Sequence, residues 1–250
     1  IRSFCTTVRW EINVTIHSAL NDDFVARLTA AIDLPDERKV AVFDADGTLW
    51  DRDMGEAFLR WLVASGKLPN ADQWPDLYAE YERRVDIDRT TGYAWAVQVM
   101  AGLEERTVAQ WARAFVYGWP NYRPAMKAVV EFLKKSGVEC WIVSATSHTV
   151  VREAAHYTGI PKERTLGMQS LVKDGIFTDT MIDPKTNRQG KVDLIEKAIG
   201  AKPILAFGDS TGDLEMLEYA HQAMVVMQYG KPNEELLELA SERGWPVQTF

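Results

Sequence analysis

The stretch Val40-Ala41-Val42-Phe43-Asp44-Ala45-Asp46-Gly47-Thr48 runs from four apolar residues into two aspartates two positions apart, and Asp51 and Asp53 follow closely. In an extended segment, residues i and i+2 point to the same side, so Asp44 and Asp46 present their carboxylates to one place. Two such groups repel unless one is protonated or a cation separates them. A hard divalent cation, magnesium above all, suits this donor set together with waters and phosphate oxygens. The pair also suits catalysis, one carboxylate as nucleophile and the other as general acid and base. A calcium loop is excluded, because that loop requires glycine sixth and glutamate twelfth, whereas DADGTLWDRD has Gly47 fourth and Gly55 twelfth.

Three other segments can join them. Gly208-Asp209-Ser210-Thr211-Gly212-Asp213 brings two more carboxylates to the end of an apolar run, enough to complete a metal shell. Ser144 follows Trp141-Ile142-Val143, where a hydroxyl and the next backbone amides can hold a phosphate oxygen; alone, it reads better as a helix cap. Lys191 stands at a helix start, where a cation is disfavoured. A lysine aimed at a phosphate explains that position, and a solvated lysine is the plain alternative.

The elements that must place these residues follow from periodicity. Short apolar runs at Val40–Phe43, Glu139–Val143, Pro203–Phe207 and Ala223–Met227 read as buried strands, with helices between them. Asp174-Gly175 between Leu171–Lys173 and Ile176–Thr178 is a hairpin turn. Strands alternating with helices predict an α/β fold, a doubly wound parallel sheet with its chemistry at the carboxyl ends of the strands. Residues 52–120 differ: several helices broken at Gly66, Pro69, Pro75 and Gly92, no convincing strand, and an aromatic-rich composition, with six of the nine tryptophans falling from Trp50 to Trp119. The expected division is an N-terminal extension 1–37, a catalytic core 38–51 and 121–250, and a helical cap 52–120. Val8–Ile16 alternates as a strand would, without a place in that plan.

Composition narrows the partners. A formal charge of −8 argues against nucleic acid and requires that any phosphate substrate be attracted locally. Cys5 and Cys140 form no disulfide or thiolate-metal pattern, and Cys140 reads as a core residue. No transmembrane run or apolar signal core is evident. With no methionine before Met54, localisation is left between the cytoplasm, the first expectation, and the periplasm if a leader has been removed. Asn13-Val14-Thr15 matches a glycosylation triplet of little weight. Oligomeric state is left open.

Asp44-Ala45-Asp46-Gly47-Thr48, Ser144, Gly190-Lys191 and Gly208–Asp213 resemble, in order, the four motifs of the haloacid dehalogenase-like (HAD) hydrolase superfamily. The helical insert, Gly159-Ile160-Pro161 and the KDGIFT hairpin resemble its phosphoserine phosphatase-like subgroup. The resemblance implies a Rossmann-like HAD core with an inserted all-helical cap, and a magnesium-dependent phosphatase of a small phosphorylated metabolite. It implies Asp44 as nucleophile, Asp46 as general acid and base, and Ser144 and Lys191 as holders of the phosphoryl oxygens. Metal ligands would be Asp44, the backbone carbonyl of Asp46 and Asp209, with Asp213 supporting the metal shell or Lys191, and Thr48 orienting the nucleophile loop. Gly212 departs from the asparagine common there in phosphoserine phosphatases.

Specificity would come from the cap. Asp53 or Glu56 can serve as an acid near the substrate, while the position of the subgroup's carboxylate-binding arginine falls on Ala94, with Arg83, Arg84 and Arg89 as substitutes. Tyr93 and Trp95 with Glu56 are similar to the choline site of bacterial phosphorylcholine phosphatases, an aromatic cage attracting a cation by ~0.5–2 kcal/mol per contact. The same rings could simply pack a small cap. The expected substrate is phosphocholine or phosphoethanolamine, with phosphoserine as the alternative. A phosphotransferase or phosphomutase on the same motifs is a further reading.

Overall fold

Strand β1 (Val40–Phe43) has all four residues fully buried, as the centre of a parallel sheet requires. The computed structural model of the protein describes residue 16 and residues 18–250. Its main sheet has six strands: β1, β2 (Glu139–Ser147), β3 (Thr165–Met168), β6 (Leu205–Gly208), β7 (Gln222–Met227) and β8 (Val247–Thr249). Their spatial order is β3-β2-β1-β6-β7-β8, and every pairing is parallel. From β1 the chain first builds outward through β2 and β3, then crosses back to lay β6, β7 and β8 on the other side. The direction of winding therefore reverses at β1, where open α/β sheets leave a crevice beyond the strand ends.

Alternation along β1 divides the core. Ala41 and Phe43 face one side, where Phe43 stacks on Phe207 of β6 with centroids 4.3 Å apart and helix α1 (Asp22–Ile32) adds Phe24 and Leu28. Val40 and Val42 face the other, with Ile195, Met216 and Leu236. Asn21 caps α1 by accepting from the Phe24 amide at 2.9 Å, as its acidic first turn suggested.

Residues 52–120, between β1 and β2, hold four α-helices and no named strand: α2 (Met54–Ala64), α3 (Leu77–Ile87), α4 (Arg89–Gln98) and α5 (Glu105–Tyr117). Gly92 does not break them; it sits inside α4, where a Cβ would come within 2.6 Å of Val85, so it permits α3 and α4 to pack closely. The break falls at Asp88, whose side chain caps α4 through the Thr91 amide. Helices α6 (Pro124–Lys135) and α7 (His148–Thr158) flank β2.

The hairpin of β4 (Ser170–Lys173) and β5 (Ile176–Met181) stands apart from the main sheet. Asp174 and Gly175 both have positive φ, 52° and 77°, which matches the twist of a two-residue hairpin loop. The hairpin is strapped to the insert by backbone bonds from Gly102 to Phe177, Phe177 to Leu103, and Glu105 to Gly175. Helices α8 (Gln189–Leu194), α9 (Leu214–Tyr219) and α10 (Glu234–Arg243) complete the core.

Among the described residues, no helix is long and apolar enough to cross a membrane. Val8–Thr15, with most of the alternating run and the glycosylation triplet, and Cys5 lie outside the described residues. Cys140 is buried in β2, and burial pushes its thiol up to about 12, as befits a core residue.

Candidate active site

Asp44 lies one residue past β1, and its amide continues the ladder to the Phe207 carbonyl at 2.8 Å. The chain then turns tightly: the amides of Thr48, Leu49 and Trp50 all converge on the carbonyl of Ala45. Gly47 makes this turn at φ 79°, and a Cβ there would lie 2.0 Å from Oδ2 of Asp209. Only glycine allows both the backbone conformation and that approach.

Lys191 enters from α8 and is 1% exposed. Its Nζ donates to Asp44 Oδ1 at 2.5 Å and to Asp213 Oδ1 at 2.6 Å. Asp213 Oδ2 accepts from the amides of Asp209 and Ser210 and from the Ser210 hydroxyl. Both oxygens of Asp213 thus hold protein groups, aiming the lysine and closing the loop after β6. Asp46 is held from three directions: Oδ1 accepts from the Met54 amide at 2.6 Å and the Trp50 indole at 2.7 Å, and Oδ2 from Thr146 Oγ1 at 2.6 Å. Ser144, buried in β2, accepts from the Thr146 amide at 3.1 Å.

Burial and the charge of Asp213 raise the Asp44 carboxyl to about 8, with Lys191 opposing. Burial likewise raises Asp46, opposed by its bonds to Thr146, Trp50 and Met54. Burial and then the charge of Asp44 lift Asp209 well above the carboxylate range. Burial pulls Lys191 down, but Asp213 and Asp44 outweigh it and hold the lysine charged. Carboxylate oxygens of Asp44, Asp209 and Asp213 lie within 4.8 Å of one another. Three acids facing one lysine retain excess negative charge in a buried place, and all their donors are oxygens. That donor set fits a hard divalent cation.

A cavity of about 280 Å³ opens over these groups. The core contributes Asp44, Asp46, Ser144, Lys191, Asp209 and Asp213 to its lining; the insert contributes Asp53, Glu56 and Tyr93, all expected there, with an apolar wall of Phe58, Leu62, Val97 and Met100. Asp53 caps α2 by accepting from the Glu56 amide. Glu56 is held by Arg60 at 3.0 Å and by the Tyr78 hydroxyl.

Thr48, expected to orient the nucleophile loop, and Trp95, expected at the substrate, both lie off the cavity. Thr48 is fully buried and donates to Asp209 Oδ1 at 3.5 Å, so it orients the loop. Trp95 packs edge-on against Trp74, centroids 5.2 Å apart, with Arg84 over its face. Tyr93 and Trp95 are two positions apart on a helix, where side chains do not share a face. The tyrosine ring that joins Tyr93 at the cavity is instead Tyr81 of α3. Arg83 and Arg84 pair with Glu80 away from the cavity, whereas Arg89 and Arg52 line it.

Thr146 was not foreseen as a partner of Asp46, although Ser144 and Thr146 stand two apart in a strand and so share a side. Tyr81 and Asn187 carry no local signal of their place in the lining.

Comparison with known proteins agrees with this geometry. The model of the haloacid dehalogenase-like hydrolases matches residues 41–218. A histidinol-phosphatase of Neisseria meningitidis serogroup C is 26% identical over 228 residues, covering 85% of this chain and 99% of its own. A structure of a protein of unknown function from Bordetella pertussis Tohama I superposes with a TM-score of 0.72 at 21% identity, covering 85% of this chain and 98% of that one. A phosphoserine phosphatase solved as a phospho-aspartyl intermediate analogue superposes with a TM-score of 0.55 at 17% identity, covering 81% and 91%.

Two outcomes follow from the carboxylate cluster. An unfolded aspartate ionises at about 3.9, and burial with the Asp213 charge raises Asp44 in the fold to about 8. Between those values the folded chain holds the extra proton, so metal-free stability falls as pH rises. Melting curves with and without magnesium should show a larger gain in Tm at pH 8 than at pH 5; an equal gain contradicts the account. Gly47→Ala should lose about 1–2 kcal/mol to the left-handed backbone and, by displacing Asp209, weaken divalent-cation binding by about tenfold or more. Calorimetric titration of the cation measures the second effect.

Proposed function

We propose, from the premise that the chain belongs to the haloacid dehalogenase-like hydrolase family and is a phosphomonoester hydrolase, that it transfers phosphate from a small amino-alcohol ester to Asp44 and then to water. The observation that carries this reading is Lys191 bridging Asp44 and Asp213 at the strand ends, with Asp46 held beside them. The Lys191 bond occupies Asp44 Oδ1, which leaves Oδ2 to attack phosphorus. As that O–P bond forms, the ester P–O bond breaks and the alcohol leaves with a proton from Asp46. Burial raises the pKa of Asp46, which suits it to carry that proton. Asp46 then takes a proton from water, the water oxygen attacks phosphorus, and the bond to Asp44 breaks to release phosphate. Lys191 and Ser144 hold the phosphoryl oxygens through both steps. Magnesium, held by Asp44, the Asp46 carbonyl and Asp209 with Asp213 in support, would offset the charge of the phosphoryl group. The phosphotransferase reading differs only in the acceptor, an alcohol in place of water.

The insert side supports an amine on the leaving alcohol: Asp53 and Glu56 supply negative charge, and Tyr81 and Tyr93 supply ring faces. Phosphocholine and phosphoethanolamine fit this description, but with Trp95 outside the cavity the quaternary-ammonium cage loses one of its two expected rings. The apolar wall of Phe58, Leu62, Val97 and Met100 leaves room for a ring beyond the amine. That wall and the histidinol-phosphatase relative support histidinol phosphate as the first reading among amino-alcohol esters. Phosphoserine is the second reading, favoured by Arg52 and Arg89 at the lining, where a substrate carboxylate could pair.

Phosphate release from histidinol phosphate, phosphocholine, phosphoethanolamine and phosphoserine, with magnesium, decides among these. Histidinol phosphate should show the highest kcat/KM, and Asp44→Asn should lower it by more than ~10³-fold. Release from none of them, nor from an aryl phosphate, overturns the reading. A preference for phosphoserine that Arg89→Ala abolishes establishes the second one.

A further inference from the structure

We infer that Asn187 is a positioning residue that latches the helical insert to the lysine loop, and that Gly212 lacks a side chain because the Asn187 amide occupies its space. Asn187 is 5% exposed, lines the cavity and lies four residues before Lys191. Its Nδ2 donates to Thr90 Oγ1 at 2.7 Å, and Thr90 belongs to the first turn of α4. A Cβ at Gly212 would lie 2.8 Å from Asn187 Oδ1, closer than real Cβ contacts permit. One end of the amide therefore holds the insert, and the other fills the gap over the loop after β6.

The backbone around Asn187 fixes it in that place. Its amide donates to Lys185 at 2.8 Å and its carbonyl accepts from Gly190 at 3.0 Å. Arg188, with φ 50°, donates its amide to the Gly212 carbonyl at 3.0 Å and accepts from the Lys191 amide at 2.9 Å. The loops that carry Lys191 and Asp213 are thus tied to each other beneath the latch.

The consequence lies in what each end carries. Thr90 precedes Tyr93 by three residues, one turn along α4, so the two share a face of the helix. A bond at Thr90 therefore sets the height of the Tyr93 ring above the cavity. Asn187 sits in the loop that places Lys191 on Asp44. One part-buried hydrogen bond links the grip on the phosphate to the wall around the leaving group. The ion pair of Arg113 with Glu153 also joins insert and core, but Arg113 is 71% exposed there, and exposed pairs contribute little.

The latch predicts a specific pattern in Thr90→Val, Asn187→Ala and the double variant. Using an aryl phosphate as substrate, each single change should raise KM by up to about tenfold, the scale of one hydrogen bond, with kcat changing much less. The double variant should match either single one, because both remove the same bond. Hydrogen exchange in the first turn of α4 should quicken in all three, a readout that needs no activity and separates failure of the latch from failure of the phosphatase reading. Gly212→Asn alone should impair KM by crowding Asn187. Asn187→Gly combined with Gly212→Asn should recover it, since the amide is resupplied from the other loop. Additive single effects, unchanged exchange at Thr90, or a swap no better than Gly212→Asn would each overturn the latch.

Discussion

The ammonium group of Lys191 between Asp44 and Asp213 is the interaction on which the rest of the site depends. All three groups are buried. Removing charges from water carries a large desolvation penalty, which close contact and further hydrogen bonds only partly offset. Asp213 meets this requirement by using its second oxygen to accept from the loop after β6. Asp44 has no such second partner among the bonds of the described residues. Its remaining oxygen is left to a metal, a substrate, or a proton, and burial and Asp213 favour the proton when nothing else is present. A buried, charged site of this kind sits at the strand ends, where the close-packed core beneath it is rigid.

That rigidity comes from the sheet. Phe43 and Phe207, stacked in adjacent strands, lock β1 to β6 just below Asp44 and Asp209. Gly47 then lets the two loops approach until Asp209 lies against the turn. Thr146, one strand over, fixes Asp46 from the other side. These groups come from three strand ends, those of β1, β2 and β6, so no local segment could assemble the site alone.

Much of the core was legible in the chain because its signals are local. The apolar run Val40–Phe43, the aspartates after it, the Asp174-Gly175 turn and the alternation of strands with helices each follow from a few adjacent residues. Their convergence follows from the geometry of parallel sheets. The insert was legible as helical but not in detail. Gly92 looked like a helix break, yet the packing of α3 on α4 makes use of its missing side chain, and Asp88 supplies the break by capping. Trp95 looked like a partner of Tyr93, but helical rotation turns it toward Trp74, and the tyrosine ring that joins Tyr93 is Tyr81 on another helix. The Gly212 departure had no local explanation, since the group that fills its space is Asn187, from a different loop. What failed to show in the sequence was in each case a contact between distant segments.

The central claim is that Asp44 becomes phosphorylated during turnover. Acid-quenched protein, taken during hydrolysis of the best substrate and digested, should yield a phosphorylated peptide whose modified residue maps to Asp44 by mass spectrometry. The modification should disappear as substrate is exhausted and be absent from Asp44→Asn. Steady hydrolysis with no phosphorylated peptide, or with the phosphate on another residue, would contradict the account.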